Sequence, residues 1–171
     1  MRIALILIVV LLAGCGYHTP GSSDDWVGGD ARLLYIQLID NQTAEPYLEN
    51  FLTDALVAEL SRSRVVTLTE DQTQAEVRLA GEIKEFTSSA FAYGTSDQIT
   101  EYRATMRISV RLLRKDTDEV LWQKAFQRSE DYLASVNKNL KHEELEGQRL
   151  SARQVSLRLA EDIYSSLLNS F

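Results

Sequence analysis

The chain has 171 residues, enough for one domain with a short extension, and its 44% hydrophobic and 25% charged residues are those of a globular protein. A formal charge of −7 and a pI near 4.9 exclude a surface built as a whole for nucleic acid. One cysteine excludes an internal disulfide and a cysteine-based zinc site, and the two histidines, His18 and His142, belong to no metal-ligand pattern.

The N-terminus carries one positive side chain, Arg2, followed by an uncharged apolar run from Ile3 to Ala13. As a helix that run spans only about 16 Å, too short for a hydrocarbon core of roughly 30 Å. A charged start and a short apolar stretch predict an export signal over residues 1–14. Leu12-Ala13-Gly14-Cys15 is a lipobox, the pattern by which bacterial lipoprotein precursors are recognised. It implies a diacylglyceryl thioether on Cys15, cleavage before it and acylation of the new amine. Several acyl chains make a stable anchor where one chain binds only marginally. Gly16, rather than Asp, after the cysteine points to the outer membrane. Residues 15–31 are predicted to be the lipidated N-terminus and a flexible tether, rich in Gly, Ser and Asp and reaching about 20 Å.

A single domain is predicted over residues 32–171. "RLLYIQLID" is apolar on both faces and reads as a central strand. Residues 46 to 62 form an amphipathic helix, with Pro46 in its first turn and a stripe that includes Leu48, Phe51, Leu52, Ala55, Leu56 and Leu60. "VVTLTED" follows as a short strand, completing a βαβ unit. In "AEVRLAGEIKEF", Val77, Leu79, Gly81 and Ile83 alternate with Arg78, Ala80, Glu82 and Lys84, a strand with one wet side. "TSSAFAYGTSDQ" reads as a loop. Residues 99 to 126 give a hairpin, turning at Lys115 to Asp118. Tyr102, Ala104, Met106, Ile108, Val110 and Leu112 face one way, and Arg103, Thr105, Arg107, Ser109 and Arg111 the other. A polar stretch, irregular in its first half, precedes a last helix over about 148 to 168. The order β-α-β-β-β-β-α predicts an α+β fold, with two helices packed on one face of a four- to five-stranded mixed sheet.

Chemistry is scarce. No phosphate-binding glycine loop and no nucleophile elbow occur. The acidic pairs Asp24-Asp25, Glu130-Asp131 and Glu143-Glu144 read as solvated surface. These features predict a protein that is not an enzyme, without metal and with no cofactor beyond the covalent lipid on Cys15. Arg103, Arg107 and Arg111 stand four residues apart on one face, about 13 Å between neighbours. Arginine forks grip phosphates in pairs of hydrogen bonds. The same ladder fits a wet sheet face whose arginines pair with Glu76, Glu82 and Glu101, and it also fits contact with an acidic protein wall.

An ordered set of segments resembles the lipopolysaccharide-assembly lipoprotein family LptE. They are Cys15-Gly16-Tyr17-His18, "IDNQTAEPYLENFLTDALVAEL", "AEVRLAGEI", "ITEYRATMRISVRL", "EVLWQKAF" with "SEDY", and "AEDIYSSLLNSF". The resemblance implies a lipid-anchored outer-membrane protein on the periplasmic side, with its domain inside the lumen of the LptD β-barrel. It would plug that barrel, support its assembly and aid lipopolysaccharide insertion into the outer leaflet. Arg103, Arg107 and Arg111 would then touch lipopolysaccharide phosphates or the barrel. The alternative is a periplasmic lipoprotein scaffold of a secretion or curli-type assembly system.

Overall fold

In a computed structural model, the described residues are 26–95, 97–134 and 141–168. The export signal, Cys15 and the first part of the expected tether lie outside them. The strands are β1 (Leu33–Ile36), β2 (Asp40–Asn41), β3 (Thr67–Leu68), β4 (Val77–Tyr93), β5 (Ile99–Arg114) and β6 (Val120–Leu133). The helices are α1 (Leu48–Leu60) and α2 (Lys141–Leu168). One mixed sheet runs β3-β1-β4-β5-β6, with β2 also paired to β4. β1 is parallel to β3 and to β4, while β4, β5 and β6 form an antiparallel meander. Both helices belong to one core with the sheet, so the fold is α+β as expected.

Periodicity explains which residues meet. Leu48, Leu52, Ala55, Leu56 and Leu60 recur along one side of α1 and are buried. Ala152, Val155, Leu159, Ala160, Ile163 and Leu167 do the same on α2. They cover Leu34, Val77, Leu79, Ile83 and the even-numbered residues 104 to 112 of β5. Each large aliphatic side chain buried this way contributes about 1.5–3 kcal/mol before entropy is counted.

Several expectations need correction. Residues 26–31 are not tether. Trp26 is 4% exposed in the core, its indole N–H donates to the Ala31 carbonyl at 2.9 Å, and the Val27 N–H donates to Leu167 at 3.2 Å. The first strand is not continuous to residue 39 but breaks between β1 and β2. The break turns Leu38 out to 57% exposure and Ile39 into the core. Gly81 makes this possible, since a Cβ there would lie 2.7 Å from Ile39 Cδ1. α1 begins at Leu48 because Tyr47 takes a left-handed backbone (φ 70), leaving Pro46 in the turn before it.

The larger corrections concern length. Residues 87–93 are strand rather than loop, and residues 129–133 are strand rather than irregular. Both are carried by pairing to β5: Thr87 faces Thr105, Ser89 faces Arg103, and Arg103 in turn faces Asp131. α2 likewise starts at Lys141 rather than near residue 148. Gly147 lets it pass close to β6, where an added Cβ would come within 3.0 Å of the Tyr132 ring.

Candidate functional site

The arginine ladder lies on the sheet face opposite the helices. β5 places it there by strict alternation, since the even-numbered residues 104 to 112 that flank the arginines point into the core. Arg103 grips Asp131 of β6 with a two-pronged contact, Nε to Oδ1 at 2.6 Å and Nη2 to Oδ2 at 2.8 Å. Its guanidinium also lies 3.5 Å from the centre of the Phe91 ring. Arg107 pairs with Glu85 and Arg111 with Glu82, the latter at 2.9 Å. Lys84 reaches the same Glu82. A bulge at Lys84 places Glu85 opposite Arg107, so β4 shows two successive polar residues to the open face.

The ladder is therefore charge-balanced rather than a bare basic stripe. The pairing partners are Asp131, Glu85 and Glu82; of the three carboxylates considered from sequence, Glu82 alone is a partner in these pairs. The polar surroundings of Asp131 read as an irregular stretch, so its cross-strand partnership has no local signal in the sequence. Hydrogen bonds from Arg103 hold the Asp131 carboxyl below the usual aspartate range, and the same contact raises the Arg103 guanidinium. Lys84, then the charge of Arg111, holds Glu82 down. The arginine side chains remain 39–53% exposed, so solvent screens each pair and it contributes little to stability. Exposed forks held by carboxylates are pre-oriented, and an incoming anion competes with the carboxylate for the same donors.

Next to Arg111 the open face dips into a groove of about 780 Å³ that no motif foretold. Tyr35, Leu38, Leu113 and Val120 supply apolar wall, and Arg78 stands beside them. Arg78 is held by Asp118 and Gln37, each at 2.7 Å. At the far end of the three long strands Phe91, Tyr93 and Leu133 are exposed. Among the described residues no three His, Cys, Asp or Glu side chains are grouped to hold a metal, and no helix is long and apolar enough to cross a membrane.

Comparison with known proteins agrees with this architecture. The LptE family model, described as lipopolysaccharide-assembly, matches residues 31–167. No curated protein sequence matches. Among solved structures, a protein of Xanthomonas campestris aligns with TM-score 0.56 and 15% identity, over 81% of this chain and 84% of its own. The PelC dodecamer from Paraburkholderia phytofirmans aligns with TM-score 0.53 and 14% identity, over 81% and 89%. The rare lipoprotein B from Shewanella oneidensis aligns with TM-score 0.50 and 14% identity, over 80% and 93%. At such identities these likenesses establish the fold alone.

Proposed function

The chain belongs to the LptE lipopolysaccharide-assembly family, and we propose that it is anchored by lipid on Cys15 in the outer membrane, plugs the lumen of an LptD-type β-barrel, supports that barrel's assembly and aids lipopolysaccharide insertion. Membership gives a non-enzymatic role in lipopolysaccharide assembly. The observation that carries the finer reading is the family match itself, which spans almost the whole described domain rather than one element.

The open face supports it physically. A plug needs a side that meets a polar, water-filled wall without a large net charge. Arg103, Arg107 and Arg111, each set against a carboxylate and interleaved with Thr105 and Ser109, form such a side. The same forks are placed to exchange a carboxylate for a lipopolysaccharide phosphate.

The test is to purify the tagged full chain from detergent-solubilised outer membranes and identify what accompanies it. A stoichiometric β-barrel is expected. Ring-shaped self-assemblies, or no partner, would overturn the reading in favour of a scaffold. Arg107→Glu then probes the ladder, alone and with Glu85→Arg, which restores the internal pair with its polarity reversed. Lower barrel yield or lipopolysaccharide binding in both variants is expected. No change in either would make the arginines surface only.

A further inference from the structure

β6 is the outer strand of the sheet. Its 14 residues pair with β5 on one side, and no strand lies on the other among the described residues. An unpaired edge of this length is a template for another strand, and proteins blunt such edges with charged side chains, proline, short strands, bulges or a covering helix; β6 carries Lys124 and Arg128, which reach Ser166 and Asp162 of α2. Residues 120–133 contain no proline, and the register shift against β5 falls at the strand's first residues. A groove of about 510 Å³ runs along this edge, lined by the consecutive residues 124–128 together with Asp162, Ser165 and Ser166 of α2. Five consecutive residues belong to both faces of a strand, so it is the edge itself that the groove exposes.

We infer that this edge is a docking site for a second copy of the same chain, the two β6 strands pairing antiparallel about a two-fold axis through Gln127. The side-chain pattern carries the choice of occupant. In that register Lys124, which donates to Ser166 of its own chain at 3.0 Å, faces the partner copy's residue 130, a glutamate that lies 3.8 Å from Arg158 of its own chain, and Glu130 faces its lysine. Trp122 stands opposite Tyr132, Phe126 opposite Arg128, and Leu121 opposite Leu133. Opposite charges and aromatic or cation–aromatic pairs across strands are the stabilising kind. Moving the axis to Phe126 sets Lys124 against Arg128, a like-charge pair, and moving it to Arg128 sets two arginines side by side, each already paired with Asp162 of its own chain. A two-fold axis perpendicular to the sheet keeps both helix layers on one side, and the small Ser165 and Ser166 leave room for the neighbouring helix. Antiparallel pairing points the two N-terminal ends in opposite directions, so this dimer is a state of the chain outside any barrel.

Cysteine cross-linking of the full chain in detergent tests this directly. Facing residues of an antiparallel pair have Cα atoms roughly 4.5–5.5 Å apart, within the span of a disulfide. Gln127→Cys is therefore expected to give a disulfide dimer on mild oxidation, several-fold above the parent chain, whose only cysteine, Cys15, is the proposed lipid site. Ser129→Cys lies on the same strand face, but its symmetry mate would be about 13 Å away, and it should stay at the parent level. Equal dimer from both variants, or cross-linking of Gln127→Cys to a different protein, would overturn the inference. In the Gln127→Cys background, Lys124→Glu and Glu130→Lys should each lower the dimer several-fold, and the two together should restore it. A double variant as poor as either single one would also overturn it.

Discussion

Along β5, Ala104, Met106, Ile108, Val110 and Leu112 are shielded completely from water, while Arg103, Thr105, Arg107, Ser109 and Arg111 alternate with them on the open face. One backbone thus serves two surfaces with different physics. The helix side is held by packing, where a missing methyl leaves a void that neighbours fill only in part. The open side is held by paired charges in water, where losing a partner costs little and the groups stay available to bind something else. The sharpest break of this comparison is one residue wide. Ile108→Ala should lower the unfolding free energy by about 2–5 kcal/mol, whereas Ser109→Ala should change it by no more than about 0.5 kcal/mol. Urea denaturation of both variants measures the difference, and similar losses would mean that the two sides are not energetically distinct.

A smaller effect is expected where β4 and the β1–β2 break meet. Gly81 belongs to the packed side, yet it fills no space of its own and yields it to Ile39. Gly81→Ala should cost about 1–3 kcal/mol by overpacking. Ile39→Val removes the Cδ1 atom that the new methyl would strike. The two changes together should therefore cost less than their sum, a coupling that a double-mutant cycle reads as non-additivity. Strict additivity would place the glycine's role elsewhere.

The same division governs what could be read from the sequence. Alternation in β5 and the stripes of α1 and α2 were legible because burial on one side imposes a period on the residues themselves. Residues 87–93 and 129–133 were not legible as strand. They are polar on the open side, lie toward the exposed end of the sheet, and are ordered by pairing with β5, which leaves no mark in either segment alone. Trp26 failed for a related reason. It is a single aromatic in a Gly- and Asp-rich stretch, and what fixes it is the distant end of α2. Of the candidate site, the three arginines and their shared face were readable from spacing. Their partners Glu85 and Asp131 were not, because a bulge placed the first and a strand misread as irregular carried the second. The lipid site at Cys15 was read from a local motif and lies outside the described residues.

The smallest expected effect isolates the open side by acid. Arg103 lowers the Asp131 carboxyl below its ordinary value of 3.8. A carboxyl whose pKa is lower folded than unfolded binds its proton more weakly in the native state. Its contribution to stability is therefore complete above the unfolded value and is lost as pH falls through the folded one. Glu76 behaves similarly through a different contact: its carboxylate accepts the backbone N–H groups of Leu33 and Arg32 and so holds the start of β1. Both groups lose their contributions in the same acid window, so wild-type protein titrated alone mixes them. Asp131→Asn removes only the open-face pair, and Glu76→Gln only the strand clasp. Stability measured from pH 6 downward should fall less steeply below about pH 4 in each variant than in the parent. Removing Asp131 should leave the hydrogen-exchange protection of β1 unchanged, whereas removing Glu76 should lower it above the acid window and converge with the parent below it. If Asp131→Asn also loosened β1, the open face would be a structural support rather than the independent surface that the alternation in β5 implies.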